Sequence, residues 1–141
     1  DLTKVLELPP DQADAYQARG LVYRQMGSLD RAMADLSRAI SLNGEFTQAY
    51  IARGALFAQL KQFDRCIADE SRAIELVYDT AQAYANRANC LQAAGRKVEA
   101  IADYDTAVRF DPDDARSRSQ LKRLVEAERR RMEQEALAQG Y

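Results

Sequence analysis

The sequence predicts an all-α protein built as a stack of helical hairpins, which is an α-solenoid. Three observations support this fold class. The chain repeats itself every 34 residues, apolar and small residues recur at helical spacing inside each copy, and only three prolines and six glycines interrupt the 141 residues. Hydrophobic residues make up 47% and charged residues 30%, a composition typical of folded chains. We therefore expect one domain of seven or eight helices without strands.

The repeat is defined by three aligned copies, at residues 13–46, 47–80 and 81–114. Six alignment columns hold the same residue in all three copies. In the first copy these residues are Ala15, Tyr16, Arg19, Ala34, Asp35 and Ala39. Because helical periodicity persists through each copy, the copies are predicted to be structural units of one kind.

Each copy is predicted to form two helices. In the first copy one helix is marked by Tyr16, Gly20, Val22 and Tyr23 with Gly27 as its stop signal, and the second by Leu29, Ala32, Leu36, Ala39 and Ile40, ending near residues 43–44. Gly20 and Ala32 are small enough to let the two helices approach closely. One hairpin cannot bury its apolar faces alone, so neighbouring hairpins must stack.

The order of these residues resembles the tetratricopeptide repeat. An aromatic residue, a small residue four positions later, another aromatic residue and then alanines in the second helix follow the family's pattern, and Asp111-Pro112 matches its usual closing proline. The resemblance covers roughly residues 1–114. It implies a right-handed superhelix of helical hairpins, with a concave groove lined by the first helix of each repeat.

The two ends complete this pattern. Residues 1–10 resemble the second helix of a truncated repeat, and residues 115–141 resemble the extra helix that covers the last repeat in this family. Asp113 or Asp114 is expected to cap that helix, whose apolar side carries Leu121, Leu124, Val125 and Met132. Its charged far half, residues 126–135, is expected to project into solvent. The chain begins without methionine and without a signal-peptide pattern, so we expect a piece of a longer or processed protein, in a compartment that the sequence does not indicate.

The second copy departs from the pattern and is expected to be the least regular. Lys61 stands where the other copies have glycine, and Glu70 stands in a core column, where a nearby arginine such as Arg53 is its expected partner. Gly44 and Tyr78 replace the closing proline. Cys66 and Cys90 lack metal-ligand spacing, and we interpret both as small buried residues.

Several function classes are excluded or disfavoured. The chain has no histidine and no phosphate-binding glycine loop, so we expect neither catalysis, nor a metal, nor a cofactor. The net charge of −2 gives no reason to expect nucleic acid as a partner, and no apolar run approaches the roughly 18 residues of a membrane span. Residues 115–141 carry seven basic and four acidic side chains, so positive charge gathers at this end.

The repeated arginines and aspartates have two interpretations. The arginines at 19, 53 and 87 are either a ladder that binds a ligand or the partners of the aspartates across each hairpin. Both columns persist together in every copy, which favours the structural pairs Arg19–Asp35, Arg53–Asp69 and Arg87–Asp103.

The family resemblance also implies which side chains line the groove. They are Gln17, Leu21, Arg24 and Gln25 in the first copy, Gln48, Ile51, Ala55 and Gln59 in the second, Gln82, Asn86, Asn89 and Gln92 in the third, and Arg116, Gln120 and Arg123 in the terminal helix. Amides both donate and accept hydrogen bonds, so they suit the backbone of an extended peptide, although a merely hydrated surface is the alternative. Ile51 and Leu21 are expected to receive an apolar side chain, and Arg116 and Arg123 an acidic one.

One subgroup of the family binds the acidic C-termini of heat-shock chaperones through a two-carboxylate clamp. Asn86 and Arg116 match two positions of that clamp, whereas Ile51, Ala55 and Gln120 occupy the other three and cannot supply its charge. The resemblance therefore disfavours binding of chaperone tails by this chain.

The function that these features predict is a protein-interaction scaffold that holds a peptide segment of a partner protein in its groove. Two alternatives remain. One is a self-assembling structural element, in which copies form a homodimer through the chain ends. The other is a regulatory domain joined to a catalytic domain outside this sequence.

Overall fold

A computed structural model describes residues 12–140, and this part of the chain forms seven helices and no strands. The helices are α1 (Ala13–Gln25), α2 (Leu29–Leu42), α3 (Thr47–Gln59), α4 (Phe63–Leu76), α5 (Ala81–Ala93), α6 (Lys97–Phe110) and α7 (Ala115–Ala138). The predicted all-α fold of stacked helical hairpins is confirmed. The helix expected at residues 1–10 lies outside the described residues.

The three hairpins have the same backbone design. The first helix of each has 13 residues and the second has 14. Between them the chain turns through a left-handed residue, Gly27 (φ 81°), Lys61 (φ 58°) or Gly95 (φ 82°). The amide of the residue that follows donates to a carbonyl five positions back, as from Gln62 to Phe57 at 2.9 Å. The expectation that the second copy would be irregular is therefore wrong for the backbone, because Lys61 adopts the glycine conformation in spite of its side chain.

Close packing inside the first hairpin depends on a missing side chain. A Cβ atom at Gly20 would lie only 3.0 Å from Leu36 Cγ, so glycine lets α2 lie directly on α1. Leu36 is fully buried, and it packs with Ala32 of α2 and with Ala52 and Leu56 of α3. We call this apolar quartet the first joint, because it attaches the second hairpin to the first.

The last described helix, α7, packs against the third hairpin. Asp114 caps α7 by accepting a hydrogen bond from the Ser117 amide at 3.1 Å. Leu124 is 4% exposed and belongs to the core cluster of the third hairpin, whereas Met132 is 59% exposed. Lys122 is exposed and occupies the column of Gly20.

The two cysteines are buried, and they are also bonded to each other. The disulfide joins Cys66 of α4 to Cys90 of α5 and so crosses from the second hairpin to the third. The interpretation of both residues as small buried side chains missed this bond, since a cysteine in an apolar column has the same sequence pattern as an alanine or a leucine.

Candidate functional site

The repeated arginines lie on the repeated aspartates of the same hairpin. Arg19 Nε is 2.7 Å from Asp35 Oδ2, and Arg19 Nη2 is 2.7 Å from Asp35 Oδ1, so the contact is bidentate. The same two bonds join Arg53 to Asp69 and Arg87 to Asp103. Hydrogen bonding to the carboxylates raises the pKa of all three arginines above the ordinary value. Each pair fixes how the two helices of a hairpin lie against each other.

These arginines also contact other parts of the stack. Arg53 Nη1 donates to Ser37 Oγ at 3.3 Å and Arg87 Nη1 to Ser71 Oγ at 3.1 Å, in each case on the preceding hairpin. The Arg53 guanidinium also lies 5.7 Å from the centre of the Phe57 ring. With their charge neutralised and their donors engaged inside the fold, the arginines give little support to a ligand-binding ladder.

A cleft of about 380 Å³ lies where α5 approaches the start of α7. Four of the predicted groove residues line it together, namely Gln82, Asn86, Asn89 and Arg116. Its other walls are Ala81, Ala85, Tyr104, Asp111, Asp114 and Ser117. We call this space the α5–α7 cleft. It gathers amides from α5, a guanidinium from α7 and carboxylates from the connection between α6 and α7. The core around Tyr104 and Leu124 fixes the relative position of these helices.

Two of the cleft amides already make hydrogen bonds within the fold. Asn86 Nδ2 donates to Glu70 Oε1 at 3.1 Å, and Asn89 Oδ1 accepts a bond from the buried Tyr104 hydroxyl. The same hydroxyl lies 3.2 Å from Gln92 Oε1. Burial raises the pKa of Tyr104, so this phenol keeps its proton and remains a donor. Asn86 retains its carbonyl oxygen, and Asn89 retains its NH₂ group, for further hydrogen bonds.

Charges of both signs surround the cleft. The Asp114 carboxylate accepts from both the amide and the hydroxyl of Ser117, and the hydroxyl bond contributes most to lowering its pKa, so it stays ionised. Arg116 is exposed beside it. Arg123 is also exposed, two turns further along α7, and donates to Gln120 Oε1 at 2.6 Å. The guanidinium groups of Arg116 and Arg123 offer positive charge to a ligand on the α7 side.

Other predicted groove residues lie elsewhere. Ile51 is 2% exposed and packs with Ala73 and Ala83, so the expectation that it receives a partner's side chain is wrong. Leu21 is half-buried against the first joint. Arg24 donates to Gln59 at 2.8 Å on the neighbouring hairpin. The remaining predicted residues, Gln17, Gln25, Gln48 and Ala55, do not line the α5–α7 cleft.

Glu70 lies directly behind the cleft, and its partner is Asn86, not the expected Arg53. The side chain is fully buried, and its Oε2 atom has no hydrogen-bond partner among the described residues. Burial raises the pKa of this carboxyl to about 9, so it is protonated at neutral pH. A Cβ atom at Gly54 would lie 2.3 Å from Glu70 Oε1, which shows that glycine makes room for the carboxyl group. The arginine–aspartate pairs join the two helices of one hairpin, whereas Glu70 and Asn86 lie on neighbouring hairpins, so no pattern within one repeat indicated this contact.

Two features, a metal-binding group and a membrane-spanning helix, are absent from the described part of the chain. No group of three or more acidic, cysteine or histidine residues between 12 and 140 is arranged to hold a metal ion. Over the same residues, no helix is long and apolar enough to cross a membrane.

Comparison with protein families identifies the repeats. Residues 13–46 and 81–114, which are the first and third copies, each match a family model described as tetratricopeptide repeat. No curated protein sequence matches the chain significantly.

Solved structures show the same fold. The TPR domain of Arabidopsis OM64 superposes with a TM-score of 0.78 at 25% identity, covering 79% of this chain and 93% of that one. The first TPR of Spaghetti (RPAP3), bound to the HSP90 peptide SRMEEVD, gives 0.80 at 20% identity, with coverage of 85% and 95%. The second TPR domain of human RPAP3, in complex with the HSP70 peptide SGPTIEEVD, gives 0.76 at 22% identity, with coverage of 80% and 94%. With its 34-residue repeats, its helical hairpins and its terminal helix, the chain belongs to the tetratricopeptide-repeat family.

Proposed function

We propose that this chain is a non-catalytic protein-interaction module that binds an extended peptide segment of a partner protein in the α5–α7 cleft. The proposal rests on one observation. The cleft is lined by four polar side chains, those of Gln82, Asn86, Asn89 and Arg116. Two structural relatives are bound to short peptides, SRMEEVD and SGPTIEEVD, which supports a peptide as the class of ligand.

The amides would hold the peptide backbone. The Asn86 carbonyl oxygen would accept from a peptide amide, and the Asn89 NH₂ group would donate to a peptide carbonyl, because their other atoms are engaged by Glu70 and Tyr104. Those internal bonds fix the orientation of both amides before a ligand arrives, which lowers the entropy cost of binding. Gln82 is exposed at the cleft, and its side-chain amide could either donate a hydrogen bond to the peptide or accept one from it.

The charges would set the direction of the peptide. Arg116 and Arg123 would attract an acidic side chain or a free C-terminus along α7, while Asp111 and Asp114 would repel a carboxylate from the connection that precedes this helix. Both arginines are exposed, so this attraction weakens with salt, since charges are screened over about 10 Å at 0.1 M ionic strength.

The chaperone peptides of the relatives are expected to bind poorly here. Ile51, Ala55 and Gln120 stand where the resemblance calls for charged or amide residues of the clamp, and Ile51 is buried. One carboxylate of such a peptide would still meet Arg116. We therefore expect a single acidic anchor instead of two, and a different set of partners.

The test is selection of a random heptapeptide library on the whole chain, followed by binding measurements on variants. Peptides enriched in Asp or Glu near the C-terminus should lose at least about tenfold in affinity for Gln82→Ala/Arg116→Ala, a loss typical of removing polar contacts of this kind. Both positions are exposed, so this variant leaves the bonds of Asn86 and Asn89 intact. The matched control is Arg118→Ala/Gln134→Ala, two exposed residues of α7 outside the cleft. Equal affinities for both variants, or no enrichment of peptides, would refute the proposal.

A second candidate function, self-assembly, is favoured by one observation. A groove of about 510 Å³ between α6 and α7 is lined by the apolar side chains of Ile101, Val125, Met132 and Ala136. Leu137, on the same helix, is 72% exposed. Pairing of two copies through α7 would cover these groups. A solution mass equal to one chain at micromolar concentration would exclude this candidate and leave peptide binding untouched.

A further inference from the structure

The contact between the second and third hairpins differs in chemistry from the contact between the first and second. One repeat after the first joint, the equivalent positions are Cys66 and Glu70 of α4 and Asn86 and Cys90 of α5. We call these four residues the second joint. Every member of the first joint is apolar and at most 7% exposed, so hydrophobic packing alone joins those hairpins.

The second joint is held by two pairs that cross it on adjacent helical turns. A disulfide links Cys66 to Cys90, whose Cα atoms are 6.4 Å apart. One turn away, Asn86 Nδ2 donates to Glu70 Oε1 at 3.1 Å, and Glu70 Oε2 is buried without a hydrogen-bond partner among the described residues. A covalent bond and one hydrogen bond thus replace an apolar quartet, and a polar atom is left unsatisfied.

Without its disulfide this joint would be the weaker of the two. When the joint opens, water can donate the hydrogen bond that Glu70 Oε2 lacks in the closed state. Once the disulfide is reduced, this hydration lowers the free-energy cost of opening. The other end of the same contact keeps an apolar cluster of Ile51, Ala73 and Ala83. Arg87 also keeps its bond to Ser71 at 3.1 Å. Opening is therefore confined to the turns that carry the two cysteines, and the hairpins stay attached.

We propose that Cys66–Cys90 is a reducible latch, and that a dithiol reductant converts the second joint from a locked to an opening contact. A thiolate of the reductant attacks one sulfur, forms a mixed disulfide and releases the other cysteine, which takes a proton. The second thiol of the reductant then attacks the mixed disulfide, closes the reductant's own disulfide and frees the first cysteine. Two electrons and two protons pass to the protein.

Because the cysteines are buried, opening of the second joint controls how fast the disulfide is reduced. Both cysteines are fully buried, so a thiolate reaches a sulfur atom only when the second joint opens transiently. Once the link is reduced, the loop that it closed regains its freedom. We expect opening of α4 from α5 to become at least about tenfold more frequent. This factor corresponds to only part of the stabilisation that a disulfide closing a loop of this size provides.

Amide hydrogen exchange on the whole chain, oxidised and in dithiothreitol, tests the latch. Reduction should speed exchange at least tenfold in the turns of α4 and α5 that carry Cys66 and Cys90. Exchange in α2 and in the first half of α3, around the first joint, should stay within about twofold. The matched variant is Cys66→Ala/Cys90→Leu, which copies Ala32 and Leu56 and should exchange at the same rate with and without the reductant.

A second variant separates the latch from general loosening. Glu70→Leu/Asn86→Ala keeps the disulfide and restores the rest of the apolar quartet, so reduction should speed its exchange by less than about threefold. The proposal would be overturned if the untreated protein titrates with two free thiols. It would also be overturned if reduction leaves exchange unchanged, or accelerates it equally at both joints.

Discussion

The buried carboxyl of Glu70 makes the stability of the fold depend on pH in a way that one substitution should remove. The side chain is fully buried, its pKa is raised to about 9 by burial, and a single hydrogen bond from Asn86 opposes that shift. We expect Glu70→Leu to stabilise the protein at neutral pH. The first hairpin already has leucine at the equivalent position, because Leu36 packs over Gly20 as Glu70 packs over Gly54.

The sign and size of the effect follow from proton linkage. In the unfolded chain Glu70 releases its proton near pH 4.5, whereas in the folded chain it holds the proton up to about pH 9. Its contribution to stability is therefore complete below pH 4.5 and is lost as pH rises through this window, by about 1.4 kcal/mol per pH unit. Between pH 5 and pH 7, the advantage of Glu70→Leu over the parent should grow by about 3 kcal/mol.

Urea unfolding followed by circular dichroism, on both oxidised proteins at pH 5, 6 and 7, measures this difference. Taking the difference between the two proteins cancels the carboxyl groups that they share. Glu75→Gln is the control, because Glu75 lies exposed on the same helix, and its effect should stay within about 0.5 kcal/mol. If the free energies of unfolding of parent and Glu70→Leu run parallel with pH, Glu70 does not hold a proton in the folded state and the reasoning fails.

Two further predictions concern the hairpins. Asp69→Ala should cost on the order of 3 kcal/mol, because Arg53 then loses a buried bidentate partner, whereas Asp105→Ala at the exposed pair with Arg109 should cost less than about 1 kcal/mol. Similar urea midpoints for both variants would show that the repeated pairs are not structural. Lys61→Gly should stabilise by roughly 0.5–1 kcal/mol, because glycine adopts the left-handed turn without strain, and a lower melting temperature would contradict this.

The fold could be predicted from the sequence because its determinants are local and repeated. Gly20 and Gly27 have clear steric roles, in close helix packing and in a left-handed turn, and their columns recur at one fixed period. The start of α7 could be anticipated as well, since Asp114 precedes a helical pattern and serves as its N-cap. Patterns of this kind act over a few residues and do not depend on how hairpins are stacked.

Contacts between hairpins were harder to predict. Cys66 and Cys90 occupy columns otherwise filled by alanine and leucine, so only the geometry of stacking reveals that they meet. Glu70 and Asn86 face each other for the same reason. Ile51 was expected in the groove, but the small residues Ala73 and Ala83 let neighbouring helices close over it. Groove residues were predicted in all three copies and in the terminal helix, and of these only Gln82, Asn86, Asn89 and Arg116 line the α5–α7 cleft.

Nuclear magnetic resonance on the isotope-labelled chain would show directly whether the α5–α7 cleft is the ligand site. A peptide selected on this chain would be titrated while the side-chain amide signals of glutamine and asparagine are followed. We predict that the signals of Gln82, Asn86 and Asn89 shift in proportion to bound peptide, that those of Gln134 and Gln139 stay in place, and that raising the salt concentration weakens the effect. Saturable binding that moves the α7 tail signals and leaves the three cleft amides unchanged would show that the peptide binds outside the cleft.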